Sequence, residues 1–127
     1  MERKPNSVLN IDSPLSKNFF RLWLEFLKPF HRLTDRETDV LAAFLKERYY
    51  LGKKINDPEL LDKITMSEDT KKRVREACNM SSTHFQVIMT KLKKSCIIEN
   101  GKISSKLIPK VNEDDGTFQL LLLFNLK

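Results

Sequence analysis

Apolar positions follow a helical spacing along most of this chain and switch to alternation near residue 97. Residues 1–14 are polar, contain Pro5 and Pro14, and read as a flexible arm that admits a short strand at 8–11. From Leu15 the pattern changes. Leu15, Phe19, Leu22 and Phe26 recur at helical intervals, and Phe20, Trp23, Leu24 and Leu27 form a second stripe beside them. This predicts a helix over 15–28, with Ser16 as a candidate N-cap and Pro29 as its stop, because the residue before proline avoids the α region. A helix that is apolar on two sides has to be covered, either by the chain's own core or by a partner.

A second helix starts at Thr34, where Thr34-Asp35-Arg36-Glu37 has capping-box spacing, and runs to about Tyr50 with Val40, Leu41, Phe44 and Leu45 inward. Asp57 caps a short third helix that has Pro58 at its first position and Leu60, Leu61 and Ile64 inward. A fourth begins near Ser67 or Glu68 and ends around Cys78-Asn79. A fifth is capped by Ser81 or Ser82 and runs to about Lys94, burying Phe85, Ile88, Met89 and Leu92. Alternation then takes over. Residues 97–104 read as a β-hairpin turning at Asn100-Gly101, a type I′ pair because both positions must accept positive φ. A short edge strand is expected over 107–111, interrupted by Pro109, then a turn over 112–116 and a last strand over 117–126.

Charge changes the picture once it is located. The chain carries 23 Lys/Arg against 17 Asp/Glu, a net +6. Residues 66–110 hold ten Lys/Arg against four Asp/Glu, so this third of the chain contains the whole surplus. Such a concentration suits a polyanionic partner better than an ordinary soluble surface does, although a solvated basic face without a partner has the same composition.

Other classes find less support. The histidines, His31 and His84, lie in different segments, and no Cys/His or carboxylate–His cluster has ligand spacing. With three glycines there is no Gly-rich phosphate loop, and Glu113-Asp114-Asp115 reads as a solvated loop tip. No catalytic site, metal or cofactor is implied. No apolar run, 120–124 included, is long enough to span a bilayer, and the first residues lack a secretory pattern, so the expected setting is cytoplasmic. Cys78 and Cys96 then read as reduced, small hydrophobes in apolar-patterned segments.

Two helices joined at Asn79-Met80, with a hairpin directly after the second, outline a winged helix-turn-helix. Residues 74–88 resemble the helix-turn-helix family of bacterial regulators. Val74, Phe85 and Ile88 fall on its apolar positions, Cys78 and Met80 flank the turn, and Asn79 stands where that family usually has Gly. Arg75 departs from the pattern by occupying a small-residue position at the helix–helix contact. Leu33-Thr34-Asp35-Arg36-Glu37-Thr38-Asp39-Val40-Leu41 also resembles the opening signature of LuxR-type regulators, but the stretch from there to Met80 is longer than that family has.

The resemblance implies a mainly α fold with a small antiparallel β wing, a winged helix-turn-helix domain over 15–127 with an added N-terminal helix. It also implies double-stranded DNA as partner and a transcriptional regulator of prokaryotic or phage type. Ser81, Ser82, Thr83, Gln86 and Thr90 would then face base edges, with His84 a lesser candidate. Lys71, Lys72, Arg73, Lys91, Lys93, Lys94 and Lys102 would meet phosphates. Phe19, Phe20, Trp23 and Phe26 are the expected anchors of a homodimer interface, with completion of the monomer core as the competing account. The alternative function is a protein-interaction or structural module that keeps the winged-helix shape without reading DNA, for example a component of a phage assembly. A protein partner would then cover Leu120, Leu121, Leu122, Leu123 and Phe124.

Overall fold

The computed structural model describes residues 7–13, 19–112 and 114–126. It is mainly helical: α1 (Phe19–Phe26), α2 (Lys28–His31), α3 (Asp35–Gly52), α4 (Pro58–Thr65), α5 (Glu68–Ala77) and α6 (Ser82–Lys94). A two-strand antiparallel sheet, β1 (Ile98–Glu99) and β2 (Lys102–Ile103), and a 3-10 turn (Ser105–Leu107) follow. Leu15, the Ser16 cap, Glu113 and the first six residues of the arm lie outside the described residues.

Capping chemistry sets the helix starts. Thr34 accepts from the Glu37 N–H, and the Glu37 carboxylate accepts from the Thr34 N–H at 3.1 Å, a complete capping box. Asp57, Ser67 and Ser81 cap α4, α5 and α6 through their side chains. The central element is α3, which packs against α1, α4, α5 and α6. One core gathers Leu24, Val40, Leu41, Phe44, Val74, Phe85, Leu92 and the hairpin residues Ile98 and Ile103. Burying each such side chain contributes about 1.5–3 kcal/mol.

Pro29 does interrupt the first helix, yet it also starts another. It sits in the first turn of α2, where its missing N–H costs nothing, so the continuous helix expected over 15–28 is α1 plus a short α2. Arg32 closes α2 in the left-handed conformation with φ 53°. His31 then ties α1 to the loop that leads into α3. Its Nδ1 accepts from the Leu33 N–H at 3.0 Å, which leaves Nε2–H to donate to the Leu24 carbonyl at 2.7 Å.

The chain differs from the expected pattern at four further places. Residues 8–11 form no strand. Leu60 faces solvent and Ile64 is only half-buried, because α4 turns Leu61 and Thr65 inward. The strand expected over 107–111 is replaced by the 3-10 turn: the Leu107 N–H bonds the Ser104 carbonyl, and the Leu107 carbonyl accepts from the Trp23 indole at 2.8 Å. The last expected strand has no ladder. Asn112 and Thr117 form a single bridge, and residues 118–126 run on without a neighbouring strand among the described residues. Among the described residues, no helix is long and apolar enough to cross a membrane.

Candidate nucleic-acid interface

The candidate surface is built by α5, the turn after it, α6 and the hairpin. Ser67 caps α5, and the Thr70 hydroxyl donates to the Ile64 carbonyl at 2.8 Å, fixing α5 to the end of α4. At the other end Asn79 takes φ 53°, and the Met80 N–H bonds the Arg75 carbonyl at 3.1 Å. This six-to-one closure through a left-handed residue is a Schellman turn, and it uses Asn where Gly is commonest. Ser81 then accepts from the His84 N–H at 3.1 Å and opens α6. Met80 and Phe85, both buried, occupy the two positions of a hydrophobic staple across that cap.

The first turn of α3 holds this unit in place, which explains what the 33–41 segment does. Arg36 donates to the Cys78 carbonyl at 2.7 Å, satisfying a backbone acceptor at the end of α5. The Cys78 thiol donates to the Asp39 carbonyl at 3.7 Å. Burial pushes the Cys78 thiol pKa up, Asp39 adds to the rise and Arg36 opposes it. Glu37, already used in the capping box, lies 3.8 Å from the Lys91 ammonium and so ties α3 to α6. Arg75 is half-buried and reaches the Met80 carbonyl at 3.4 Å, so the side chain at the expected small-residue position folds back over the turn.

The buried side of α6 is Phe85, Ile88, Met89 and Leu92, as the spacing predicts. Ser81, Ser82, Thr83, His84, Gln86 and Thr90 are all exposed. Thr83, Gln86, Thr90 and Lys93 follow one another at helical intervals, so they share one stripe. The Thr90 hydroxyl donates to the Gln86 carbonyl at 3.0 Å, which leaves it only acceptor capacity and a methyl toward solvent. Sequence reasoning missed Val87. It is 48% exposed beside Gln86, an apolar β-branched residue on a wet helix face. The signal was available, since the stripe 85, 88, 89, 92 excludes position 87.

The seven candidate phosphate contacts divide. Lys71 lies 3.6 Å from Glu68, Arg73 3.2 Å from Glu47, and Lys91 pairs with Glu37, so these cations are partly committed within the chain. Lys72, Lys93, Lys94 and Lys102 are exposed and make no ion pair with a described residue. Lys102 stands on the hairpin opposite Glu99, with Ile98 and Ile103 paired on the core side. Asn100 and Gly101 turn the hairpin at φ 56° and 73°, the positive pair that a type I′ turn needs. Cys96, expected as a small hydrophobe in an apolar-patterned segment, is instead exposed at φ 59°. It is the left-handed residue that closes α6, with the Ile97 N–H bonded to the Leu92 carbonyl at 3.0 Å.

The aromatic set of the first helix also divides. Phe20 and Trp23 are buried in this chain's own core, against Tyr49 and Phe118 respectively, and Phe19 is half-buried against Phe118. Phe26 faces solvent. Asp115 accepts from the backbone N–H and hydroxyl of Thr117, as a loop-capping residue does. Among the described residues, no group of three His, Cys, Asp or Glu could hold a metal. No family model, curated protein or solved structure matches this chain.

Proposed function

We propose that this chain is a winged helix-turn-helix protein that binds double-stranded DNA through α6, acting in the cytoplasm as a transcriptional regulator of prokaryotic or phage type. The observation that carries the proposal is the stripe on α6. Four apolar residues anchor the helix while Thr83, Gln86, Thr90 and Lys93 line up on its open side, inside the segment that holds all of the chain's net charge. A helix presented in this way fits the major groove by its N-terminal end. Ser81, Ser82 and Thr83 are short enough to approach base edges, and Gln86 has the donor–acceptor pair that matches adenine N6 and N7. Val87 supplies an apolar contact of the kind a thymine methyl accepts. Lys93 and Lys94 at the end of α6, Lys72 on α5 and Lys102 on the wing meet phosphates and set register without reading sequence. Lys71, Arg73 and Lys91 contribute less, since each would have to leave a carboxylate first.

Anisotropy of a labelled random-sequence duplex across a salt series tests this reading. Four phosphate contacts give a slope of log K against log salt near about −3.6, so affinity falls roughly a hundredfold between ~50 and ~200 mM salt. Absence of binding at low salt, or binding indifferent to salt, overturns the proposal.

A further inference from the structure

The end of the chain is anchored at one point and open beyond it. Phe118 sits with its ring 4.9 Å from Trp23 and 5.6 Å from Phe19, both in edge-to-face contact. Past it, Leu120, Leu121, Leu122 and Leu123 are each about half exposed, Phe124 is 82% exposed and Leu126 94%. Extended chain sends alternate residues to opposite sides, so Leu120, Leu122, Phe124 and Leu126 continue the side begun by Phe118. That side is wholly apolar. The opposite one carries Leu121 and Leu123 between Gln119 and Asn125. The N-terminal segment 7–13 lines a common groove with residues 116–120 and exposes Val8, Leu9 and Ile11 nearby.

We propose that residues 118–126 form a β-strand by pairing antiparallel with the same residues of a second copy of this chain. Three observations select that occupant. Residues 117–126 contain no charged side chain and no proline, so neither like-charge repulsion nor a missing donor opposes edge pairing. The sequence is also self-complementary about Leu122: two-fold antiparallel pairing there places Leu120 opposite Phe124, Leu121 opposite Leu123 and Phe118 opposite Leu126, all apolar, with the polar amides Gln119 and Asn125 opposite each other. The third is area. The exposed large apolar side chains of 120–126 present on the order of 750 Å² per chain, close to the ~800 Å² per partner of a stable interface. The two-fold axis closes the pairing at two copies, and Phe118 joins the paired segment to the aromatic helix whose Phe20 and Trp23 are buried in the monomer.

Sedimentation equilibrium of the full chain without DNA, from micromolar to ~100 μM, separates this inference from the DNA-binding reading. The wild type is expected at twice its 14.9 kDa. Leu122→Lys combined with Phe124→Lys is expected at the single-chain mass with an unchanged far-UV helical signal. Amide hydrogen exchange of the wild type supplies a second measurement that requires no variant: residues 119–126 become protected as concentration rises. A wild type that stays at single-chain mass, a variant that keeps the wild-type mass, mass that grows without limit, or exchange at 119–126 indifferent to concentration each overturns the proposal. So does a variant that loses its helical signal, which would put the segment in the monomer core.

Discussion

Replacing Trp23 by Phe tests the core most sharply, because the indole makes two separable contributions. Its N–H donates to the Leu107 carbonyl at 2.8 Å across a buried contact, and its ring packs on Phe118 at 4.9 Å. Phe retains much of the ring contact and loses the hydrogen bond, leaving the Leu107 carbonyl without that donor in a residue 8% exposed. An unsatisfied buried acceptor costs about 1–3 kcal/mol, and the smaller ring forfeits some packing, so Trp23→Phe should lose about 2 kcal/mol. Trp23→Ala should lose about 3–5 kcal/mol, since it adds the cavity. Urea unfolding followed by far-UV circular dichroism measures both; with a slope of about 1–3 kcal/mol per molar, the Phe variant's midpoint falls by roughly 1 M. Trp23→Glu separates core from interface: an unpaired charge in the core unfolds or aggregates the chain, whereas at an interface it gives a folded monomer. A folded, monomeric Trp23→Glu, or a Phe variant as stable as wild type, would refute the packing argument.

Thr34→Ala removes the capping-box acceptor and should cost about 1 kcal/mol in the same urea assay; a change near zero would mean that α3 starts without its cap. Gln86→Ala should relax preference at one base position by ~1–3 kcal/mol and leave binding to random duplex nearly intact. Equal loss on every sequence would make Gln86 a positioning residue. Val87→Ala should weaken a selected site and lose its effect when thymine is replaced by uracil, which lacks the methyl; persistence of the effect on uracil DNA removes Val87 from thymine contact. For the cysteines, burial and Asp39 hold the Cys78 thiol protonated to higher pH than an ordinary thiol. At mildly alkaline pH iodoacetamide should therefore label exposed Cys96 well before Cys78, and equal rates would contradict the burial of Cys78.

Local chemistry was legible in the sequence, and long-range pairing was not. Thr34, Asp57 and Ser81 announced their helices, and Asn100-Gly101 its turn, because capping and positive φ are decided within a few residues. The buried side of α6 followed from spacing alone. The role of Trp23 did not, because its partners Leu107 and Phe118 are far along the chain and nothing local specifies them. Arg36 read as part of a helix start, yet its partner is the carbonyl of Cys78, forty-two residues on. The same holds for Lys71, Arg73 and Lys91: composition counts cations, while only tertiary placement shows which already face a carboxylate. Residues 117–126 have a strand's pattern but no ladder within the described chain, since alternation encodes a strand's faces and not its neighbour.

The central claim is that the open face of α6 meets DNA, and the salt slope of Lys93→Ala combined with Lys94→Ala tests it most directly. Both side chains are exposed and make no ion pair with a described residue, so the fold should survive their removal; Lys91 is left in place because its loss would strand the buried Glu37 carboxylate. On random duplex DNA the account predicts weaker binding and a slope shallower than wild type by up to ~1.8, about 0.9 for each lost phosphate contact. A folded variant with the wild-type affinity and slope would contradict it.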